Sequence, residues 1–592
     1  MTDPQEAVEA AKKALADAEA ALAAATEAAA TEAAEAEAAK AEQPVAEKQA
    51  PAEPAAAVDE NAPLDPERVA SIRAGYAMEG AVLEMGALVN GEALPDVPVR
   101  IPIAMTNRHG LVAGATGTGK TKTLQVLAEQ LSAAGVPVFA ADIKGDLSGI
   151  AVAGTSSEKL LARTQGIGQN WQPTAHPTEF YCLGGIGQGV PVRATVSSFG
   201  ALMLAKVLGL NQTQESSLGL VFHYADLNGL PLVDLTDLRT VIQFLTSPEG
   251  KADLAELGGL SKATAGVILR ELITFAAEGA DVFFGQPEFD TAEFLRTTTD
   301  GRGVVSLLQV PGVADKPALF STFLMWLLAD LFNDLPEVGD IDKPKLVFFF
   351  DEAHLLFQDA SKDFLAAITQ TVRLIRSKGV GIFFVTQTPK DVPADVLAQL
   401  GSRVQHQLRA HTPDDQKALR ATVRTYPNSG YDLEQVLMGL GIGEAIVTVM
   451  NEKGAPSPVA WTRLRAPQGS MDPAPAEVVT STAAASPLMA RYGQAIDPQS
   501  AHEMLATRMN AAAEAEAARE AATQKDAAQE EYEKALRDLQ KKERTTTRTP
   551  TRRTTKPAPG VGDVIGDVFG SRTGQTVIRE VVRGIFGTLG RR

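Results

Sequence analysis

Cysteine is almost missing from this 592-residue chain, with Cys182 the only one. That excludes an internal disulfide framework and a cysteine-cluster zinc site, and it fits a reducing cytosol. Seven histidines beside a single cysteine make no complete ligand set, so no transition-metal site is expected. Long apolar runs are missing too. The best candidate, residues 317–329, has 13 uncharged residues between Lys316 and Asp330, where a membrane span needs about 20. The N-terminus lacks the basic-then-apolar order of a signal peptide. A cytoplasmic protein with no membrane partner is expected. A formal net charge of −18 excludes a uniformly basic, nucleic-acid-binding surface.

The charge that is present is unevenly spread. Residues 1–60 carry 14 acidic and 4 basic residues, whereas residues 541–592 carry 12 basic and 4 acidic. Such asymmetry marks tails with roles of their own, or tails that find each other. Composition is otherwise that of an ordinary globular protein, 45% hydrophobic and 22% charged.

Residues 1–63 read as an Ala/Glu-rich acidic arm ending in a proline-bearing linker. It has strong helix propensity and little to bury. Residues 64–97 read as a short helix and β element, with the helix placed at residues 69–91. Alternation of strand and helix then predicts an α/β core with a mostly parallel sheet in two parts, residues 98–195 and 301–465. Strands are expected at residues 110–113, 136–142, 303–309, 345–350, 380–386, 404–409 and 444–450, and helices at 120–133, 318–332 and 361–376. Between the two parts, residues 196–300 read as an inserted helical subdomain. A linker and charged helix (466–543), a basic Thr/Pro linker (544–560) and a C-terminal segment (561–592) follow. In that last segment Val577, Ile578, Val581, Val582, Ile585, Phe586 and Leu589 share one helical face flanked by arginines.

Gly114 to Thr121 read G-A-T-G-T-G-K-T, set between an expected strand and an expected helix. Gly114, Gly117 and Gly119 let backbone N–H groups wrap phosphate, with Ala115, Thr116, Thr118 and Lys122 completing the contact. Lys120 reaches the β- and γ-phosphates, and the Thr121 hydroxyl ligates Mg²⁺. ATP and Mg²⁺ are therefore the expected ligands. The partner motif is K-L-V-F-F-F-D-E-A-H. It puts Asp351 at a strand end, where a carboxylate holds the magnesium shell. Glu352, next in sequence, would polarise the attacking water. His354 reads as structural or as a cap. In G-I-F-F-V-T-Q-T-P the amide of Gln387 ends the next strand and can touch the γ-phosphate or the lytic water. Arg373 and Arg376, just upstream, are candidates to neutralise transition-state charge from a neighbouring subunit, with Arg403 and Arg409 as alternatives.

Together these strings resemble the HerA/FtsK superfamily of hexameric motor ATPases. With N-R-H-G-L-V-A-G-A-T-G-T-G-K-T, D-I-K-G-D-L-S-G, P-V-R-A-T-V-S-S-F-G and L-G-L-N-Q-T-Q, the chain more narrowly resembles bacterial HerA-like helicase C-terminal domain proteins, over about residues 98–465 and the C-terminal segment. The resemblance implies a RecA-like core, a hexameric ring and ATP hydrolysis. It also implies an arginine finger before the sensor strand, which favours Arg376 or Arg373, and DNA translocation. No β-barrel precedes the core as in HerA itself, because residues 64–97 are too few, so HerA's pairing with a nuclease does not carry over. Three functions stay open: a motor acting on DNA, an ATPase acting on a protein partner, and a nucleotide-gated scaffold.

Overall fold

The computed structural model describes residues 64–254, 258–310, 317–339, 341–357, 362–451 and 453–545. The acidic arm, nearly all of the basic Thr/Pro linker and the C-terminal amphipathic segment lie outside the described residues. The chain divides into two units, which are residues 64–192 with 289–494, and residues 193–288 with 495–545.

The first unit is built on one sheet. Its strands are β1 (Val82–Asn90), β2 (Glu92–Pro102), β3 (Gly110–Ala113), β4 (Val138–Asp142), β5 (Thr178–Leu183), β6 (Val190–Val192), β7 (Val305–Gln309), β8 (Leu346–Phe350), β9 (Val380–Thr386), β10 (Ser402–Gln405), β11 (Glu444–Thr448) and β12 (Ala460–Leu464). Their spatial order is β2-β1-β12-β11-β10-β3-β9-β8-β4-β7-β5-β6. From β10 to β6 all neighbours are parallel, and the β2-β1-β12-β11 end is antiparallel up to β10. Every residue of β4, β8 and β9 is buried, which is why these strands are continuous apolar runs: a parallel sheet is covered on both faces. The core is a mixed α/β fold on one large, mostly parallel sheet, with β3 separated from the acidic-ended β8 by β9. Phe139, Phe348 and Phe294 pack ring to ring at 5.2 and 5.0 Å from Phe139.

Four local outcomes differ from the sequence reading. The helix placed at residues 69–91 is a short helix, Pro66–Gly75, capped by Asp65, and then the strand β1. Residues 404–409 form ladder structure only as far as Gln405, because His406 turns inward and Gln407 then accepts from Ala115 N of the phosphate loop. The helical run also ends before residue 300, since Phe289 and Phe294 pack on Tyr181 of β5 at 5.6 and 5.0 Å. Residues 466–494, read as linker, belong to the sheet unit. Glu129 accepts from Gln468 N and Gly469 N at 2.7 and 2.9 Å.

The second unit is helical. Helices Gln212–Leu227 and Leu235–Thr246 each begin with a capping box, Asn211 with Gln214 and Asp234 with Asp237. Asp237 also accepts from His502 N at 2.8 Å, which seats the start of the helix Ala501–Thr545. Among the described residues no helix is long and apolar enough to cross a membrane.

Candidate nucleotide site

The loop after β3 folds as its glycines require. Gly114, Gly117 and Gly119 all have positive φ, at 156°, 83° and 109°. A Cβ on Gly114 would lie 2.4 Å from His406 Cβ, whereas one on Gly117 would meet no protein atom within 4 Å. The first position is glycine because the loop is clamped there, and the second faces the space the loop curves around. Helix Lys120–Ala133 then starts with no side chain capping its first N–H groups, so its dipole end faces the same space. Lys120 Nζ donates to Gly114 O at 2.7 Å and Ala115 O at 3.2 Å. Burial lowers its pKa, opposed by Glu352 and Asp351.

His406 braces this loop, and sequence reading missed it. It is fully buried, with Nδ1 3.1 Å from Thr118 O and Nε2 3.0 Å from Thr123 Oγ1. Burial, with Lys120 nearby, brings its pKa down to about 4, so the ring is neutral near pH 7. Gly114→Ala should therefore lose about 2–4 kcal/mol through overpacking and a disfavoured φ, and nucleotide affinity with it. Urea titration and binding of an ATP analogue check this; a wild-type midpoint with wild-type affinity would refute the clamp.

Asp351 and Glu352 follow β8 and are both 6% exposed. Asp351 Oδ1 accepts from Glu352 N at 2.9 Å. Burial, then the Glu352 charge, raises the Asp351 pKa to about 6. Glu352 has φ 49°, and Ala353 N donates to Val385 O of β9 at 2.9 Å, which pins the turn. Burial pushes the Glu352 carboxyl up, but the ion pair with Lys144 Nζ outweighs it and holds the group below its ordinary pKa. His354 Nδ1 is 3.3 Å from Glu352 Oε2 without hydrogen-bond geometry, so that oxygen is buried with no hydrogen-bond partner. Asp142, at the end of β4, is raised to about 7 by burial.

Gln387 is exposed just beyond β9. The turn carrying it is fixed by Asp391, which accepts from Thr386 Oγ1 at 2.8 Å and Thr388 N at 3.0 Å. Gln387 lies between two hollows. One, of about 220 Å³, is shared with Thr116 and Arg409, and the other, of about 380 Å³, with His354 and Phe357.

The arginines are not together. Arg373 and Arg376 precede the N-terminal end of β9, while the phosphate loop and Gln387 lie at the C-terminal ends of β3 and β9. The length of β9 puts those edges on the order of 20 Å apart. His109, just before β3, holds the arginine segment in place. Its Nδ1 accepts from Ile382 N at 3.0 Å, so its Nε2–H donates to Val372 O at 2.7 Å. Arg409 instead reaches the loop of its own chain, donating to Thr116 O at 3.3 Å, and Arg403 donates to Thr425 Oγ1 at 2.7 Å.

Beside the loop lies a cleft of about 570 Å³ that no motif announced. Gly119, Lys122 and Thr123 form its phosphate-loop side. Trp171, Ile442 and Met471 also line it. Ile442 is 76% exposed, the most of any large apolar side chain among the described residues. Arg163 Nη2 donates to Gly443 O at 2.8 Å, and Gln125 Nε2 to Ser470 O at 3.0 Å.

A magnesium nucleotide fits these groups. The uncapped helix start and the Gly117 face suit phosphate oxygens, and the Thr121 hydroxyl and Asp351 carboxylate are the hard oxygen donors magnesium takes. The family described as Helicase HerA-like C-terminal matches residues 88–592. The chain belongs to that family. It is 25% identical over 361 residues to "Probable helicase MJECL08" of Methanocaldococcus jannaschii, covering 58% of this chain and 64% of that one. It is 23% identical over 356 residues to "DNA double-strand break repair helicase HerA" of Sulfurisphaera tokodaii, covering 60% and 64%. The chain thus spans less than two thirds of these relatives' length. Among solved structures, plasmid coupling protein TrwB with a non-hydrolysable ATP analogue is similar at TM-score 0.47 and 15% identity, over 69% of this chain and 94% of that one.

Proposed function

We propose that this HerA-like chain is an ATP-hydrolysing motor, working as a homo-oligomeric ring and translocating DNA. One observation carries the reading: the sheet order brings the phosphate loop, Asp351, Glu352 and Gln387 to a single edge. There Lys120 and the loop amides bind the phosphates, and the adjoining cleft takes the nucleoside. Thr121 and Asp351 hold magnesium, which when bound offsets phosphate charge. Glu352 accepts the proton of the attacking water, and Gln387 orients that water. Arg376 or Arg373 serves the site of a neighbouring copy, because its own site lies at the other edge of the sheet.

The test is ATP turnover with and without single-stranded DNA, duplex DNA and RNA, run with sizing of the oligomer. Turnover should rise with DNA and the rise should fade with salt, as phosphate contacts do. Turnover indifferent to DNA at low salt would refute the DNA reading and leave an ATPase acting on a protein partner.

A further inference from the structure

Strands β4 and β8 are parallel neighbours in register, with Ala141 opposite Phe350. The turns leaving their C-terminal ends are therefore side by side, and Lys144 faces Glu352 across a sequence gap of 208 residues. The two form an ion pair in which the Lys144 side chain is 50% exposed and that of Glu352 is buried. The backbone under Lys144 is fixed: Asp142 Oδ2 accepts from Leu147 N at 3.2 Å, and Ser148 Oγ donates to Gly145 O at 2.7 Å. Only the lysine side chain, a mobile point charge on a four-carbon stem, is free to change partners. An ion pair with one partner half in solvent contributes little to stability, yet it occupies one oxygen of the carboxylate that has to take a proton. Lys120, Lys144, Asp351 and Glu352 all feel one another's charge. A γ-phosphate held by Lys120 would enter this group as a new, stronger anion.

We propose that Lys144 is a latch on Glu352: it holds the carboxylate until the γ-phosphate of a bound triphosphate draws the ammonium away, which frees Glu352 to accept a proton. This rests on the reading of Glu352 and of the nucleotide given above. Lys144 acts here as a positioning residue, and the latch makes the site unready for a diphosphate.

The test measures binding of ADP and of a non-hydrolysable ATP analogue, with magnesium, to the full chain. Four proteins are compared: wild type, Lys144→Met, Glu352→Gln and the double variant. Glu352→Gln should change ADP affinity by the same factor with Lys144 present or replaced. Glu352→Gln should tighten the analogue by about fivefold or more, the scale expected for groups in contact, and only where Lys144 is present. An equal gain in both backgrounds would overturn the latch, as would a Lys144→Met loss that is the same for ADP and the analogue. A wild-type chain that binds neither nucleotide would instead sink the nucleotide reading, and the latch with it.

Discussion

Arg376→Ala is expected to cost about 10³–10⁵ in ATP turnover and yet to be rescued by a partner that is itself dead. The geometry behind this is the sheet. Arg376 lies at the opening end of β9 and the phosphate loop at the closing ends of β3 and β9, so one chain does not join them. A Lys120→Ala protein lacks the phosphate ligand but keeps Arg376. Mixed after dissociation, the two should form rings in which some sites combine an intact loop with an intact arginine. Neither protein alone should turn over, and the mixture should. An inert mixture whose co-assembly is verified by sizing would refute Arg376 in trans. The same experiment with Arg373→Ala decides between the two arginines, and with Arg409→Ala it should give no rescue, because Arg409 touches its own loop.

Glu352→Gln is expected to lower kcat by about 10²–10⁴, the usual range for a lost general base. Nucleotide should still bind. The glutamine keeps the shape of the turn after β8, where Ala353 N reaches Val385 O, but it no longer takes a proton. The expected result is a long-lived ATP-bound ring, visible as retained nucleotide after gel filtration. Hydrolysis equal to wild type would remove Glu352 from the proposed chemistry.

The parts of this site that sequence reading reached are those whose signal is local. The Leu346–Phe350 and Val380–Thr386 runs are apolar throughout because both faces of a parallel sheet are covered, and each ends in a polar residue at the same edge. The glycine spacing from Gly114 to Gly119 is likewise written in six consecutive residues. What was not legible depends on neighbours far away in the chain. β1 is rich in Leu, Glu, Met and Ala, good helix formers, and is a strand because it pairs with both β2 and β12. His406 carries no motif, and Lys144, although it sits in D-I-K-G-D-L-S-G, has no role assigned to it there. Their roles follow from the loop against which β10 ends and from β4 lying beside β8. Strand order sets both, and it cannot be read one strand at a time.

The helix Lys120–Ala133 is gripped along its length. Lys122 Nζ donates to Met471 O, Gln125 to Ser470 O at 3.0 Å, and Glu129 holds Gln468 and Gly469. Gln130 then exchanges two hydrogen bonds with Glu84 of β1, at 2.8 and 3.0 Å. The helix that begins at the phosphates is thus a strut, bolted first to the wall of the cleft and then to the antiparallel hairpin. The same helix that starts at the glycine loop therefore ends hydrogen-bonded to the hairpin β1–β2, so the loop and the hairpin share one connecting element.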